Sequence, residues 1–249
     1  MKSRLSERGY FECSVMKNKL IIVADDYGVR EASLPILCLA KEGVVDRVAV
    51  LARFVSTEDA RALSETGVAL DIHLELIRLL GRGEHDGDSL ILRLGNFLWH
   101  VLRGDLAPKR VEEEWKAQIE IFREKFGRLP DGMNSHEHVH FFPFFFSSFL
   151  RVAEEYTIGY IRFGSQGILG DIRVHPAKNI LSVLHGLNRI LWRAQLLPTS
   201  DYLVSADWID DVRHFVRHLP DGQIEIVAHP KRPHEVKFLR ALKKTGGRG

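Results

Sequence analysis

The chain is poor in cysteine, in net charge and in long apolar runs, and each shortage narrows what it can be. Only Cys13 and Cys38 occur in 249 residues, so neither a disulfide framework nor a cysteine-based metal site is visible. That scarcity fits a reducing, cytoplasmic compartment. The formal net charge is +2, too small to suggest a nucleic-acid partner. No stretch has the length and apolarity of a membrane span; the densest, Phe141-Phe142-Pro143-Phe144-Phe145-Phe146, is far too short. Residues 1–17 mix charges of both signs and lack an apolar core, so they do not read as a secretory signal. They read as an N-terminal extension, disordered or belonging to a non-native start, ahead of a single domain over 18–249. The pairs Lys231-Arg232 and Lys243-Lys244 read as a solvated tail. No Gly/Ser-rich or Pro-rich linker divides the chain.

What the sequence has is an alternation of strand-like and helix-like segments from residue 19 onward. Strands are expected at 19–24, 45–52, 68–73, 132–137, 159–163, 201–205 and 223–228. Helices are expected at 31–42, 56–66, 90–102, 109–126, 143–156, 177–195, 209–218 and 234–244. Ser56 is placed to cap the second helix, Gly127 to end the fourth and Pro143 to open the fifth. A βαβα order argues for a parallel sheet covered by helices. The expected α/β architecture is an irregular (β/α) barrel of TIM type with about seven parallel strands. Residues 77–89, with Gly81, Gly83 and Gly87, read as a long loop above the sheet that could form part of a cleft or lid.

The ends of four strands carry ionisable groups. Leu20-Ile21-Ile22-Val23-Ala24 stops at Asp25-Asp26-Tyr27-Gly28; His73 ends a second run; Asn134-Ser135-His136-Glu137-His138-Val139-His140 follows a third; His229-Pro230 closes a fourth. Carboxyl ends of parallel strands are where such folds place chemistry. A lone His73 or His229 would be unremarkable as a core histidine. If the strand at 132 ran far enough, its pleat would put His136, His138 and His140 on one side, with Glu137 pointing away. Three imidazoles there are costly as core filler, because every ring nitrogen needs a partner. An aspartate with two histidines suits one divalent cation, with Mg²⁺ or Zn²⁺ expected first and Co²⁺, Ni²⁺ or Mn²⁺ also compatible. A spare carboxylate beside it can take a proton from water, and an imidazole across the site can protonate a leaving nitrogen.

These motifs, in this order and spacing, resemble the YdjC-like carbohydrate deacetylases, which include chito-oligosaccharide and hopanoid-associated deacetylases. The resemblance runs from about residue 18 to residue 244. It implies a distorted β/α barrel, a divalent cation, and removal of an acetyl group from an N-acetylated sugar or oligosaccharide. It also implies roles: Asp26, His73 and His136 as metal ligands, Asp25 as general base, and His229 as the imidazole assisting the leaving amine. Arg162 would orient Asp25, while His138 and His140 would contact substrate or support the ligands. Trp208, just past a strand end, is the best candidate for stacking under a sugar ring.

The sequence departs from the family pattern at Asp46 and the residues after it, at Asp71, at Asn134 and at Lys231. Asp71 either adds a carboxylate near the metal or pairs with a neighbouring cation. Two alternatives stay open: a barrel metallohydrolase acting on phosphate esters, and a catalytically inactive sugar-binding relative. The aromatic run 141–149 reads as a core-facing helix and leaves room for a homo-oligomer contact.

Overall fold

The apolar run after Lys19 becomes an interior strand buried on both faces, as a parallel strand between helical layers should be. The computed structural model describes residues 19–80, 95, 97, 99–166, 176–193 and 195–244. Its elements are β1 (Lys19–Tyr27), α1 (Arg30–Lys41), β2 (Arg47–Val50), α2 (Thr57–Ser64), β3 (Ala69–Leu74), α3 (Ile77–Leu80) and α4 (Pro108–Phe126). They continue with β4 (Gly132–Ser135), α5 (Pro143–Glu155), α6 (Pro176–Trp192), β5 (Tyr202–Ser205), α7 (Val212–Arg217), β6 (Gln223–Ala228) and α8 (Pro233–Lys244). A kinked segment, His136–Phe141, and a 3₁₀ turn, Ala206–Trp208, follow β4 and β5. The expected extension at 1–17, residues 81–89 of the expected loop and most of the expected helix at 90–102 lie outside the described residues.

The six strands form one parallel sheet in the order β4-β3-β2-β1-β6-β5. It is an open half-barrel, not the expected closed barrel of seven strands. The strand expected at 159–163 forms no ladder. That segment meets β4 through one bridge, Met133 with Ile161, and β5 through another, Ser165 with Tyr202. Two of its N–H groups find acceptors off the ladder: Ile161 donates to the Pro198 carbonyl at 3.0 Å, and Phe163 to Thr199 Oγ1 at 2.9 Å. Those acceptors sit in the connection before β5, so the backbone is satisfied without a strand.

The boundary residues act as expected. Ser56 Oγ accepts the Asp59 N–H at 3.0 Å, Gly127 ends α4 in the left-handed region at φ 68°, and Pro108 and Pro143 open their helices. Most of the phenylalanine run is core: Phe141, Phe145, Phe146 and Phe149 are fully buried, while Phe144 is exposed. Trp115 packs edge-on against Phe145 and Phe149.

Strand β4 is shorter than expected, and this changes the histidine cluster. It ends at Ser135, and Glu137 and His138 then take left-handed backbone at φ 52° and 54°. A strand cannot continue through two such residues. The alternation that would align His136, His138 and His140 therefore fails, and each histidine has its own surroundings.

Candidate functional site

A regular strand sends neighbouring side chains to opposite faces, so Asp25 and Asp26 could not both serve one site. Strand β1 solves this with a bulge. Ala24 pairs with Val48 and Tyr27 with Val50, so two residues on β1 oppose one on β2. Asp26 sits in the left-handed region at φ 73°, a conformation rarely held without surrounding constraint. Gly28 completes the turn at φ 115°, where a Cβ would meet the Leu51 carbonyl at 3.0 Å.

The bulge brings Asp26 against two imidazoles. His136 Nδ1 lies 3.1 Å from Asp26 Oδ1 and 3.3 Å from His73 Nε2, and His73 Nε2 is 3.5 Å from Asp26 Oδ1. Bonds of about 2.1 Å to one ion separate neighbouring ligands by roughly 3.0 Å at right angles and 3.4 Å at the tetrahedral angle. The three donors therefore fit a single small divalent cation. Asp26 Oδ2 is buried with no hydrogen-bond partner, a further acceptor at the same place. His73 Nδ1 bonds Asn134 Oδ1. An amide oxygen only accepts, so Nδ1 carries a proton, and release of the proton on Nε2 would free that lone pair for a ligand. Burial opposes a charged Asp26, but hydrogen bonds and charge from His136 and His73 hold its carboxyl far below the ordinary range.

Asp25 is held differently. Arg162, fully buried, grips it with two parallel bonds, Nη1 to Oδ2 at 2.7 Å and Nη2 to Oδ1 at 2.9 Å. Its Nε donates to Glu225 Oε1 at 2.6 Å, and the Tyr160 hydroxyl donates to Glu225 Oε2 at 2.6 Å. Burial would raise the Asp25 carboxyl; the Arg162 guanidinium, with His73 and His229, overrides it and holds it at about 2. His140 steadies this arrangement from behind. Its Nε2 is 2.9 Å from the Arg162 carbonyl and its Nδ1 2.5 Å from Ser135 Oγ. With its ring buried among phenylalanines, its basicity falls to about 3.

His229, at the end of β6, has its N–H on Glu235 Oε2 at 2.6 Å and its Nδ1 3.8 Å from the same oxygen. Burial disfavours its cation, but Glu235, Asp25 and Asp26 outweigh that and raise the imidazole above its ordinary value. His138 goes the other way, since burial and Arg162 push it well below. Asp25, His73, His138, His229 and Trp208 line a cavity of about 310 Å³. Residues from β1, β3, β6 and the segments after β4 and β5 thus meet in one place, as expected. Asp26 and His136 join through the donor triangle rather than the cavity wall, and Arg162 and His140 stand behind it.

A family model described as YdjC-like protein matches residues 19–245. The chain belongs to the YdjC-like family. A carbohydrate deacetylase from Mus musculus is 29% identical over 165 residues, 61% of this chain and 53% of the relative. A chitooligosaccharide deacetylase from Salmonella paratyphi B is 30% identical over 158 residues, 62% of each chain. The chain thus spans between about half and three fifths of the curated relatives it matches. A crystal structure from Enterococcus faecalis, provisionally named a cellobiose-phosphate cleavage protein, shares the fold at a TM-score of 0.62 with 20% identity. That match covers 93% of this chain and 96% of the other.

Within this YdjC-like chain the unusual positions each find a partner. Asp71 does not reach the Asp26–His73–His136 donor triangle. It forms a bidentate pair with Arg47, whose guanidinium stacks over the Tyr160 ring 4.5 Å from its centroid. Asp46 Oδ2 accepts the Ile22 N–H at 2.8 Å. Lys231 and Arg232 are not a solvated tail. Lys231 Nζ lies 3.6 Å from Asp26 Oδ2, and Arg232 bonds Glu235 Oε1 at 2.8 Å.

Some residues of the site escaped the sequence. Glu225 had a signal, a single charge inside the apolar run Ile224-Glu225-Ile226, where a buried charge demands a partner. Asn134 had its place beside Ser135-His136. Glu137 reaches the cavity wall only because its backbone is left-handed, and Glu235 meets His229 only through the turn into α8; neither had a signal.

Proposed function

We propose that this chain is a metal-dependent hydrolase that removes the acetyl group from an N-acetylated sugar or oligosaccharide. The observation that carries the reading is an Asp26–His73–His136 donor triangle that shares His73 with a cavity also lined by the fixed Asp25 carboxylate and the His229 imidazole. The names of the curated relatives support the same chemistry.

Asp26, His73 and His136 would hold the cation. A divalent ion there supplies Lewis acidity, polarising the acetamide carbonyl and acidifying water. Asp25 accepts the proton of the attacking water. Arg162 keeps that carboxylate ionised and fixes its direction, so no reorientation is needed as the water attacks. His229, charged over a wider pH range than a free imidazole, donates a proton to the departing amine nitrogen. Trp208 offers a face for the sugar ring, and His138, kept neutral, offers a ring nitrogen for a hydroxyl. A phosphate-ester site is less well supported. Such sites often use two metals, whereas the described residues hold one three-donor cluster and His140 is committed to Ser135 and Arg162.

The test is acetate release from mono-, di- and oligosaccharides bearing N-acetyl groups, with the protein stripped by chelator and then supplied with Zn²⁺, Co²⁺ or Mg²⁺. Release that depends on added metal supports the reading. No release from any of them with any metal overturns it.

The Lys231 ammonium puts a positive charge beside the proposed metal carboxylate. Like charges at this range oppose each other even after screening. Lys231→Met is expected to tighten Zn²⁺ binding by roughly tenfold, about 1.4 kcal/mol. Titration calorimetry of the two proteins checks it; equal or weaker binding in the variant refutes it.

A further inference from the structure

The geometry points to α6 as the element that docks this protein onto an anionic lipid surface. Residues 176–193 contain no aspartate or glutamate, but they do contain Lys178, Arg189 and Arg193. Within α6, Leu181 and Asn188 are buried and fix the face that packs on the body. Val183, Leu187 and Ile190 follow the i, i+4, i+7 spacing of one helical stripe, and they are 64%, 59% and 79% exposed. Leu191 widens the stripe, and Leu196, just beyond the helix, is fully exposed. Aliphatic side chains concentrated to this degree on one exposed helix of a globular chain mark a contact surface.

The flanking charge decides the occupant. Lys178 and Arg189 lie on the polar arc of the same helix, between the exposed stripe and the body, and Arg193 follows its last residue. A cationic helix with an apolar stripe is the pattern of an element lying in a bilayer interface, its aliphatic residues among acyl chains and its cations at anionic headgroups. A second copy of the chain fits less well. A two-fold contact through this stripe would bring each arginine row toward its own copy, with no acid on the helix to offset it. The stripe also continues toward the cavity, since Ile180 and Leu184 of the same helix line it. A surface held against α6 therefore lies at the cavity's apolar side.

The inference does not depend on the deacetylase reading, and its test does not use activity. The full chain is sedimented with vesicles of phosphatidylglycerol and phosphatidylcholine in equal parts, and with vesicles of phosphatidylcholine alone. The expected result is partition into the anionic vesicles at least tenfold stronger than into neutral ones, falling steeply in about 0.5 M salt. The double variant Leu187→Ser, Ile190→Ser is expected to lose at least tenfold of it with its thermal midpoint unchanged. If that variant is unstable, Arg189→Glu with Arg193→Glu, on exposed positions, is expected to show the same loss. No partition into anionic vesicles, or equal partition into both, overturns the proposal. So does a wild-type dimer without vesicle affinity that Leu187→Ser dissociates, because the stripe would then belong to a second copy.

Discussion

Replacing Arg162 with methionine is expected to destabilise the chain by about 3–5 kcal/mol, the cost of breaking a buried ion pair from one side. Arg162 is fully buried between Asp25 and Glu225, and it donates three hydrogen bonds to those carboxylates. Methionine fills much of the volume and offers no donor. Glu225 keeps the Tyr160 hydroxyl, but Asp25 loses both of its arginine bonds. The sign of the pH dependence separates this account from a simple packing defect. In the parent protein the folded Asp25 carboxyl, at about 2, lies below the ordinary aspartate value of 3.8. Its pairing therefore stabilises the fold above pH 3.8, and that contribution is lost as the pH falls toward 2. In the variant, burial acts unopposed by Arg162 and the carboxyl moves upward, so acid helps it by neutralising a stranded charge. Urea unfolding at about pH 7 and about pH 4 is expected to show the gap between the two proteins narrowing at the acid end. A gap that stays constant or widens would mean that volume, not charge, sets the effect. Arg162→Lys is expected to recover only part of the loss, because an ammonium cannot grip two carboxylates with a planar fork.

The order of elements was legible because it rests on local physics. The run Leu20 to Ala24 is too apolar and too short to be anything but an interior strand, and Ser56, Gly127 and Pro143 mark boundaries by their own chemistry. The convergence of Asp25, Asp26, His73, His136 and His229 was legible too, since parallel strands present their carboxyl ends together. What stayed hidden depends on backbone twist or on distant partners. Pleat alternation places Asp25 and Asp26 on opposite faces; only the bulge and the left-handed Asp26 turn both inward. The same alternation aligns His138 with His136 and turns Glu137 away, and left-handed residues at 137 and 138 undo both expectations. Residues 159–163 carry strand composition, but whether they pair was decided by Pro198 and Thr199, more than thirty residues on. Asp71 is explained by Arg47, which belongs to a different strand. Each half of that pair looks like an isolated departure; together they neutralise each other inside the half-barrel.

Asp25→Asn is expected to lower kcat for acetate release by about 10²–10⁴-fold, the usual worth of a positioned general base, while leaving metal affinity within a few-fold of the parent. The asparagine keeps the shape and can still accept from Arg162 through its oxygen, but its amide cannot take a proton from water. The three proposed ligands are other residues, and Asp26, held by His136 and His73, need not move. Asp26→Asn should behave in the opposite way, with metal binding itself weakened and activity recovered in part by excess cation. The contrast matters because the two aspartates are neighbours in sequence and sit on one bulge, so a general disturbance of that bulge would depress both properties in both variants. Calorimetric titration with Zn²⁺ beside steady-state acetate release separates the cases. Asp25→Asn with near-parental turnover would remove the carboxylate from the reaction. Loss of metal in Asp25→Asn equal to that in Asp26→Asn would make it a ligand rather than a base. Only the split result, metal kept and turnover lost, matches a carboxylate that Arg162 holds beside the cation without sharing it.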